Sequence, residues 1–300
     1  MTSFLVVGES IVDVIVRPDG TRSEHPGGSP ANVALGLGRL GDDVTLLTDL
    51  GDDAHGSLIR THLEAAGVEI RTSPLDGATS TATATIGPDG SATYDFDVTW
   101  DVDIAAAPDA DVVHVGSIGA TLAPGADEVR LLVTVRRASA LISFDPNIRA
   151  ALLGPRDKVV VRVEHLVVLS DIVKVSAEDL AWLYPHTSPL VSATRWATIG
   201  GPLVVVTDGG AGVTGFWHGA RIDVPSRAVA VIDTVGAGDS FMAALLDALG
   251  RAVPGLDRDA FTDLSQAGIT AALEFASAAA AVTVSRPGAD LPTREELNRA

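Results

Sequence analysis

The chain contains no cysteine, which excludes disulfides, thiolate zinc sites and cysteine nucleophiles and fits a reducing cytoplasm. Aromatic residues are only 4% of it, so Ala, Val and Leu must do most of the packing. Lysine occurs only at Lys158 and Lys174, neither in a glycine-rich turn. With no G-x-x-x-x-G-K-[ST] either, a P-loop nucleotide hydrolase is excluded. No run of 18 or more apolar residues appears, so no membrane span is expected. Residues 1–9 lack a basic n-region and read as a first buried strand instead of a signal peptide. Positive charge is scarce too, and the net charge of -18 argues against nucleic acid as a partner. An anionic substrate such as ATP would need a local electropositive pocket and a divalent cation.

What is present has a clear rhythm. Apolar runs of strand length at 4–7, 44–47, 112–115, 141–144, 172–175 and 203–207 are dense in Val, Ile and Leu. Little alternation within them predicts strands of a parallel sheet covered on both faces. Between them, Ser29 and Pro30 offer an N-cap and a first helical residue, and Gly41 closes that helix. Ile59, Leu63 and Ala66 keep helical spacing up to Gly67, as do Val159, Val163, Leu166 and Val167. The expected architecture is a doubly wound α/β sandwich of 300 residues in a single domain. From Arg71 to Val98 the pattern changes to small polar and apolar residues in alternation, with Gly87-Pro88-Asp89-Gly90 between two such runs. That predicts a Thr-rich hairpin, read as a flap over the core, to which 11–16 could add strands. The lid is therefore expected at about 11–26 and 71–99. The Ala-rich stretch 276–281 reads as a close-packed helix.

The chemistry is concentrated at Asp233-Thr234-Val235-Gly236-Ala237-Gly238-Asp239, after a strand expected at 228–232 and before an apolar helix running to Gly250. Glycines at a helix start leave backbone N–H groups unobstructed, and the helix dipole adds positive potential there. Asp239, in the first turn, would stand beside an anion and could accept the proton of an incoming hydroxyl. A carboxylate of ordinary pKa, about 4, would serve if the proton moves late. Read alone, Asp239 is better taken as a helix N-terminal carboxylate, stabilising by roughly 0.3–1 kcal/mol. A second segment tips the balance: His25-Pro26-Gly27-Gly28-Ser29-Pro30-Ala31-Asn32 brings a glycine pair to another helix start, with Asn32 one turn in. Paired glycines allow close approach, and Asn offers a donor and an acceptor to hydroxyls. Glu9 and Asp13 supply further acceptors, completing a polyol pocket.

These two segments resemble the two signature motifs of the ribokinase-like (PfkB-type) carbohydrate kinases, and the resemblance runs over essentially the whole chain. It implies a Rossmann-like core with a small β-lid, the sugar beneath the lid, and ATP with Mg²⁺ along the C-terminal half. By position it makes Asp239 the general base and the amides of Gly236, Ala237 and Gly238 the anion hole. Glu9, Asp13, Gly27, Gly28, Asn32 and Arg149 would hold the sugar. The turn from Thr207 through Gly209 to Gly212 resembles the family's nucleotide-binding turn, with Asp208 where the family has Leu. Lys174 and Ser176 lie in the place of its Asn-x-x-Glu segment, which here reads Ser176-x-x-Asp179. Asp233, with the carbonyls of Val235, Thr283, Arg286 and Gly288, matches a monovalent-cation site, taken as K⁺. Gly8-Glu9-Ser10, Tyr94-Asp95-Phe96 and Asp145-Pro146-Asn147-x-Arg149 are similar to bacterial fructokinases, which implies D-fructose phosphorylated at O6. Downstream of Phe96 the lid looks shortened against that subgroup. Kinases of 2-keto-3-deoxygluconate, ribose or a nucleoside stay open, as does a sugar-binding protein without turnover. The exposed lid edges and the family together suggest a homodimer.

Other signals point elsewhere. Gly36, Gly38 and Gly41 spell G-x-G-x-x-G, but they close a helix and precede a strand, the reverse of a dinucleotide fingerprint. The seven histidines show no metal-ligand pairing, and Asp42-Asp43 and Asp52-Asp53 read as solvated turn and cap residues. No serine sits in a G-x-S-x-G elbow.

Overall fold

The computed structural model describes residues 2–73, 77–87, 89 and 91–299. Thirteen strands form among them: β1 (Ser3–Val7), β2 (Ile11–Val16), β3 (Arg22–Gly27), β4 (Asp43–Asp49), β5 (Glu69–Ser73), β6 (Thr81–Ile86), β7 (Ala92–Asp97), β8 (Val112–Gly116), β9 (Leu141–Asp145), β10 (Ile172–Ser176), β11 (Leu203–Thr207), β12 (Val213–Trp217) and β13 (Ala220–Val224). Nine of them make one sheet in the order β13-β12-β11-β10-β9-β8-β1-β4-β5. It is parallel from β5 to β11 and antiparallel at the β12 and β13 edge. All six runs expected as strands lie in it. The strand expected at 228–232 does not form. That segment joins neither sheet: its one backbone tie among the described residues is Ile232 N donating to Val284 O at 2.8 Å, and Val229, Val231 and Ile232 are exposed.

Helices cover both faces, as a sheet of Val-rich strands requires. One layer holds Ser29–Arg39, Ala54–Glu64, Ala237–Ala252 and Gln266–Val284; the other holds Gly125–Arg136, Arg156–Leu169 and Pro189–Ile199. Each fully buried Val, Leu or Phe contributes about 1.5–3 kcal/mol. Two apolar layers, one per sheet face, therefore dominate stability. Glycine explains the tight contact in the first layer. A Cβ on Gly36 would sit 2.6 Å from Ala243 Cβ, so the literal G-x-G-x-x-G packs one helix against another and binds no dinucleotide phosphate. The helix Gln266–Val284 is long and apolar enough to cross a membrane by composition. Ile269, Ala272, Leu273, Ala276 and Ala279 bury one side of it in the core.

The remaining four strands form a second, smaller sheet in the order β3-β2-β6-β7, where the flap was expected. β6 and β7 pair antiparallel from Thr81↔Asp97 to Ile86↔Ala92, while β2 pairs parallel with β6. Two residues of the expected turn, Pro88 and Gly90, lie outside the described residues. The lid's second segment starts later than residue 71, because β5 belongs to the large sheet. Asp53 ties the entering chain down, accepting from Thr79 N and Thr79 Oγ1 at 2.7 and 2.8 Å. Asp49 holds the exit by accepting from Asp101 N at 2.7 Å.

Asp42 departs from its expected role as a solvated turn residue. Its side chain is 7% exposed and lies beside Asp247, whose carboxylate pairs with Arg251 and Arg294. Burial first, then the Asp247 charge, push the Asp42 carboxyl up to about 7. A carboxyl whose folded pKa is raised stabilises fully below its unfolded value near 4, and that contribution is lost as pH rises toward 7. Asp42→Asn should therefore raise Tm at pH 8 and raise it by much less at pH 5. Equal shifts at both pH values in thermal melts would rule out this reading.

Candidate active site

Two helix starts face each other over the carboxyl ends of the central strands. The helix Ala237–Ala252 begins after Gly236, whose φ of 75° places it in the left-handed region. The helix Ser29–Arg39 begins after Gly28, at φ 101°, where a Cβ would lie 2.6 Å from the Glu9 carbonyl. Gly28 rather than Ser29 is thus the N-cap. This frees the Ser29 hydroxyl, which donates to Asp239 Oδ1 at 2.6 Å. Asn32 Nδ2 donates to Asp239 Oδ2 at 2.8 Å, and Asn147 Nδ2 approaches Oδ1 at 3.5 Å. The two sequence motifs, some two hundred residues apart, therefore meet on one carboxylate.

Asp239 is 6% exposed. Burial pushes its carboxyl above the usual range, opposed by the Ser29 and Asn32 hydrogen bonds and by the Lys174 charge. It is not the ordinary carboxylate the sequence suggested, because desolvation penalises the anion more than its donors relieve it. Beside it, Ala237 N donates to Thr234 O at 3.3 Å, whereas the Gly236 and Gly238 amides find no acceptor among the described residues. A carboxylate next to two unpaired amides at a helix mouth can take a proton and receive an anion together.

The residues expected to hold the sugar gather around β2 and β3. Asp13 on β2 lies opposite His25 on β3, and a Cβ on Gly27 would fall 2.4 Å from Asp13 Oδ2. Burial raises the Asp13 carboxyl, with Arg149 and His25 opposing. Arg149 is exposed and acts on both Asp13 and Glu9. Glu9 differs from its expected place as an open hydroxyl acceptor. It is 2% exposed, its Oε2 accepts from Gly119 N at 2.7 Å, and burial raises its carboxyl to about 7.

Thr207 ends β11, and the turn after it, expected to bind nucleotide, closes with Asp208 N donating to Gly212 O at 2.9 Å. A cavity of about 610 Å³ opens beside it, lined among others by Leu190, Val206, Gly212, Arg221 and Pro225; it does not reach Asp239. Ser176 caps the helix Ala177–Leu183 by accepting from Asp179 N, and Asp179 Oδ1 accepts from Ile148 N at 3.0 Å. These two residues therefore brace the 145–149 segment. Lys174 is buried beneath the helix mouth, its Nζ 2.6 Å from Asp145 Oδ2. Asp233 accepts from Val235 N at 3.1 Å and Gly288 N at 2.8 Å, and these amides hold its carboxyl below the usual range. Thr283 lies in the last turn of the helix Gln266–Val284, and Arg286 and Gly288 lie in the turn that follows it.

Sequence reading missed the direct roles of Ser29 and Asn147, and a polar strip across the sheet. His114, Ser143, Asp145 and Lys174 sit on adjacent strands β8, β9 and β10, on the face below Asp239. The signal was there: each interrupts an otherwise apolar strand.

Comparison with known proteins now decides the family. The pfkB family carbohydrate kinase model matches residues 1–296. The chain belongs to this family. It is 32% identical over 305 residues to a fructokinase of Klebsiella pneumoniae, covering 98% of this chain and 97% of that protein. A fructokinase of Rhizobium leguminosarum bv. trifolii is 33% identical over 261 residues, 82% of this chain and 79% of that protein. The Xylella fastidiosa fructokinase structure with bound ATP superposes with a TM-score of 0.89 at 27% identity, covering 99% of this chain and 97% of that one. A Vibrio cholerae fructokinase double mutant bound to fructose, ADP and potassium ion gives 0.86 at 27% identity, covering 100% and 98%. The ribokinase-like fold and a carbohydrate kinase activity follow from family membership.

Proposed function

We propose that this pfkB-family kinase phosphorylates D-fructose at O6 with MgATP, using Asp239 as general base. The observation that carries the reading is the Asp239 carboxylate, held by Ser29 and Asn32 beside the unpaired Gly236 and Gly238 amides. Asp13, Gly27, Gly28, Asn32 and Arg149 hold the sugar under the lid, with Glu9 bracing the pocket from behind. The 207–212 turn, with Thr207, Gly209 and Gly212, takes the nucleotide, and Lys174 and Ser176 support its phosphate end. The sugar hydroxyl oxygen attacks the γ-phosphorus while the β–γ bridging bond breaks and its electron pair leaves on ADP. The hydroxyl proton passes to Asp239, and the 236–238 amides receive the charge of the transferring group. Such transfer is mostly positioning, so the lid's task is to exclude water.

A monovalent cation fits the all-oxygen set of Asp233 with the Val235, Thr283, Arg286 and Gly288 carbonyls. Asp233 stays anionic there because two backbone amides stabilise its charge. When bound, K⁺ would add positive potential behind the amide nest. We place the protein in the cytoplasm, as its lack of cysteine fits. We also read a homodimer formed through the lid, where Tyr94 is 66% exposed and stacks on Phe96 on an edge strand.

A nucleoside-like substrate is the second reading. It is favoured by similarity to aminoimidazole riboside kinase from Salmonella enterica, at TM-score 0.85 and 25% identity, covering 99% of this chain and 99% of that one. Coupled ADP release with fructose, ribose, 2-keto-3-deoxygluconate and a nucleoside, in Mg²⁺ and K⁺, separates the readings. Fructose should give the highest kcat/KM by about tenfold or more, a margin of roughly 1.4 kcal/mol. A different winner would replace fructose and keep the kinase. Binding of a sugar with no ADP release would make the protein a non-catalytic sugar binder.

A further inference from the structure

The phosphate-side reading of Lys174 leaves one feature unexplained, the ion pair buried below the helix mouth. Lys174 and Asp145 have side chains 4% and 1% exposed, and they meet at 2.6 Å. Asp145 Oδ1 is buried with no hydrogen-bond partner. A Cβ on Gly238 would lie 2.9 Å from Lys174 Nζ, so the ammonium sits directly against the turn that carries Asp239. Buried pairs of this kind cost desolvation and are a weak source of stability. Well-packed hydrophobic residues of similar volume are often as stabilising or more so, which asks for another reason for a charge at this position.

We propose that Lys174 is a positioning residue for the phosphoryl transfer, a fixed internal cation that holds Asp239 in its anionic, proton-accepting form. The inference rests on Asp239 being the base. Two charges act on Asp239 directly, and the other titratable groups stand around them. From β10 Lys174 stabilises the anion, and from the end of β9 Asp145 opposes it. Asp179, from the helix Ala177–Leu183, is linked electrostatically to both Asp145 and Lys174. From β8 comes His114, which burial and then the Lys174 charge keep neutral, to a pKa of about 3. Arg149 lies farther out, toward Glu9 and Asp13. The helix Ser29–Arg39 contributes only the neutral donors Ser29 and Asn32. Burial lowers the Lys174 ammonium, but Asp145 more than offsets this and the group stays cationic. Lys174 is thus the one cation buried with Asp239 among these groups.

The test titrates Asp239 itself, by carboxyl ¹³C NMR of the unliganded full chain, with the resonance assigned from the Asp239→Asn spectrum. Lys174→Met should raise the Asp239 midpoint by about one pH unit or more, and Asp145→Asn should lower it. Opposite signs are the signature, because general disruption of packing would move both variants the same way. If Lys174→Met does not fold, Lys174→Arg, which keeps the charge, and Lys174→Gln, which removes it, decide: equal Asp239 midpoints in the two overturn the proposal. In turnover, Lys174→Met should shift the acid limb of kcat/KM by the same amount and lose about tenfold more activity at low pH than at high pH. A uniform loss at every pH overturns it as well. The NMR midpoints need no substrate, so an unproductive sugar panel with correctly shifting midpoints would sink the fructose reading and leave this one standing.

Discussion

Asp239→Asn should lower kcat by about 10²–10⁴-fold and leave sugar affinity largely intact, the range expected for removing a general base. The geometry makes this variant a clean one. Asparagine keeps the shape of the side chain, and Ser29 can rotate while Asn32 turns its amide to match the new donor. The stability change should run opposite to the activity change. Burial disfavours the Asp239 anion, so the raised carboxyl destabilises the fold once pH exceeds its folded value. The neutral variant should therefore melt at the same or a higher temperature than wild type at pH 8. A site that costs stability to gain chemistry behaves this way. Wild-type turnover in Asp239→Asn would remove the residue from the role. A lower Tm with lost activity would make it a structural carboxylate. The same burial sets the acid limb of wild-type kcat/KM above the usual carboxylate value, and pH–rate profiles read it directly.

Much of this arrangement was legible in the residues. Unbroken Val, Ile and Leu runs fixed the central strands, because a parallel strand covered on both faces admits no polar alternation. The Thr81–Ile86 and Ala92–Asp97 alternation marked the second sheet, although the first strand is half-buried and the second exposed along nearly their whole length. The failures have physical causes. Residues 228–232 read as a strand because Val229, Val231 and Ile232 are apolar, but pairing depends on a free edge beside the segment, which periodicity cannot report. Ser29 read as a cap because local rules favour Ser there; the preceding Gly28, at positive φ, takes the cap and turns the hydroxyl toward Asp239. Asp42 read as solvated because Asp247 and two arginines come to it from two hundred or more residues away. Lys174 could be placed in its motif, but its burial under Gly238 depends on how β10 meets the helix mouth. Contacts distant in sequence were the part the chain did not display.

Gly236→Ala should be nearly as damaging as loss of the base, for a different reason. At φ 75°, an alanine pays the left-handed penalty of about 1–2 kcal/mol. Its Cβ would also fall 2.7 Å from Ala289 Cβ and 2.9 Å from Ala289 Cα. The second contact is with backbone, so residues 288–289 must move or the helix mouth must tilt. Either response disturbs two things at once: the Gly236 and Gly238 amides lose their aim, and Gly288 N is pulled from Asp233 Oδ2, where it sits at 2.8 Å. Loss of an aimed oxyanion donor typically costs 10²–10³-fold in kcat. We expect about that loss, with Tm lowered by several degrees, consistent with roughly 1–2 kcal/mol of strain in a chain of this size. Sugar KM should change little, because Asp13 and Asn32 stand on the lid and the opposing helix. Gly154→Ala is the control: no atom lies within 4 Å of its added Cβ, and both kcat and Tm should match wild type. Gly236→Ala with full kcat would show that the helix mouth does not receive the transferring phosphate. A raised sugar KM with unchanged kcat would move the glycine from the anion site to the sugar pocket.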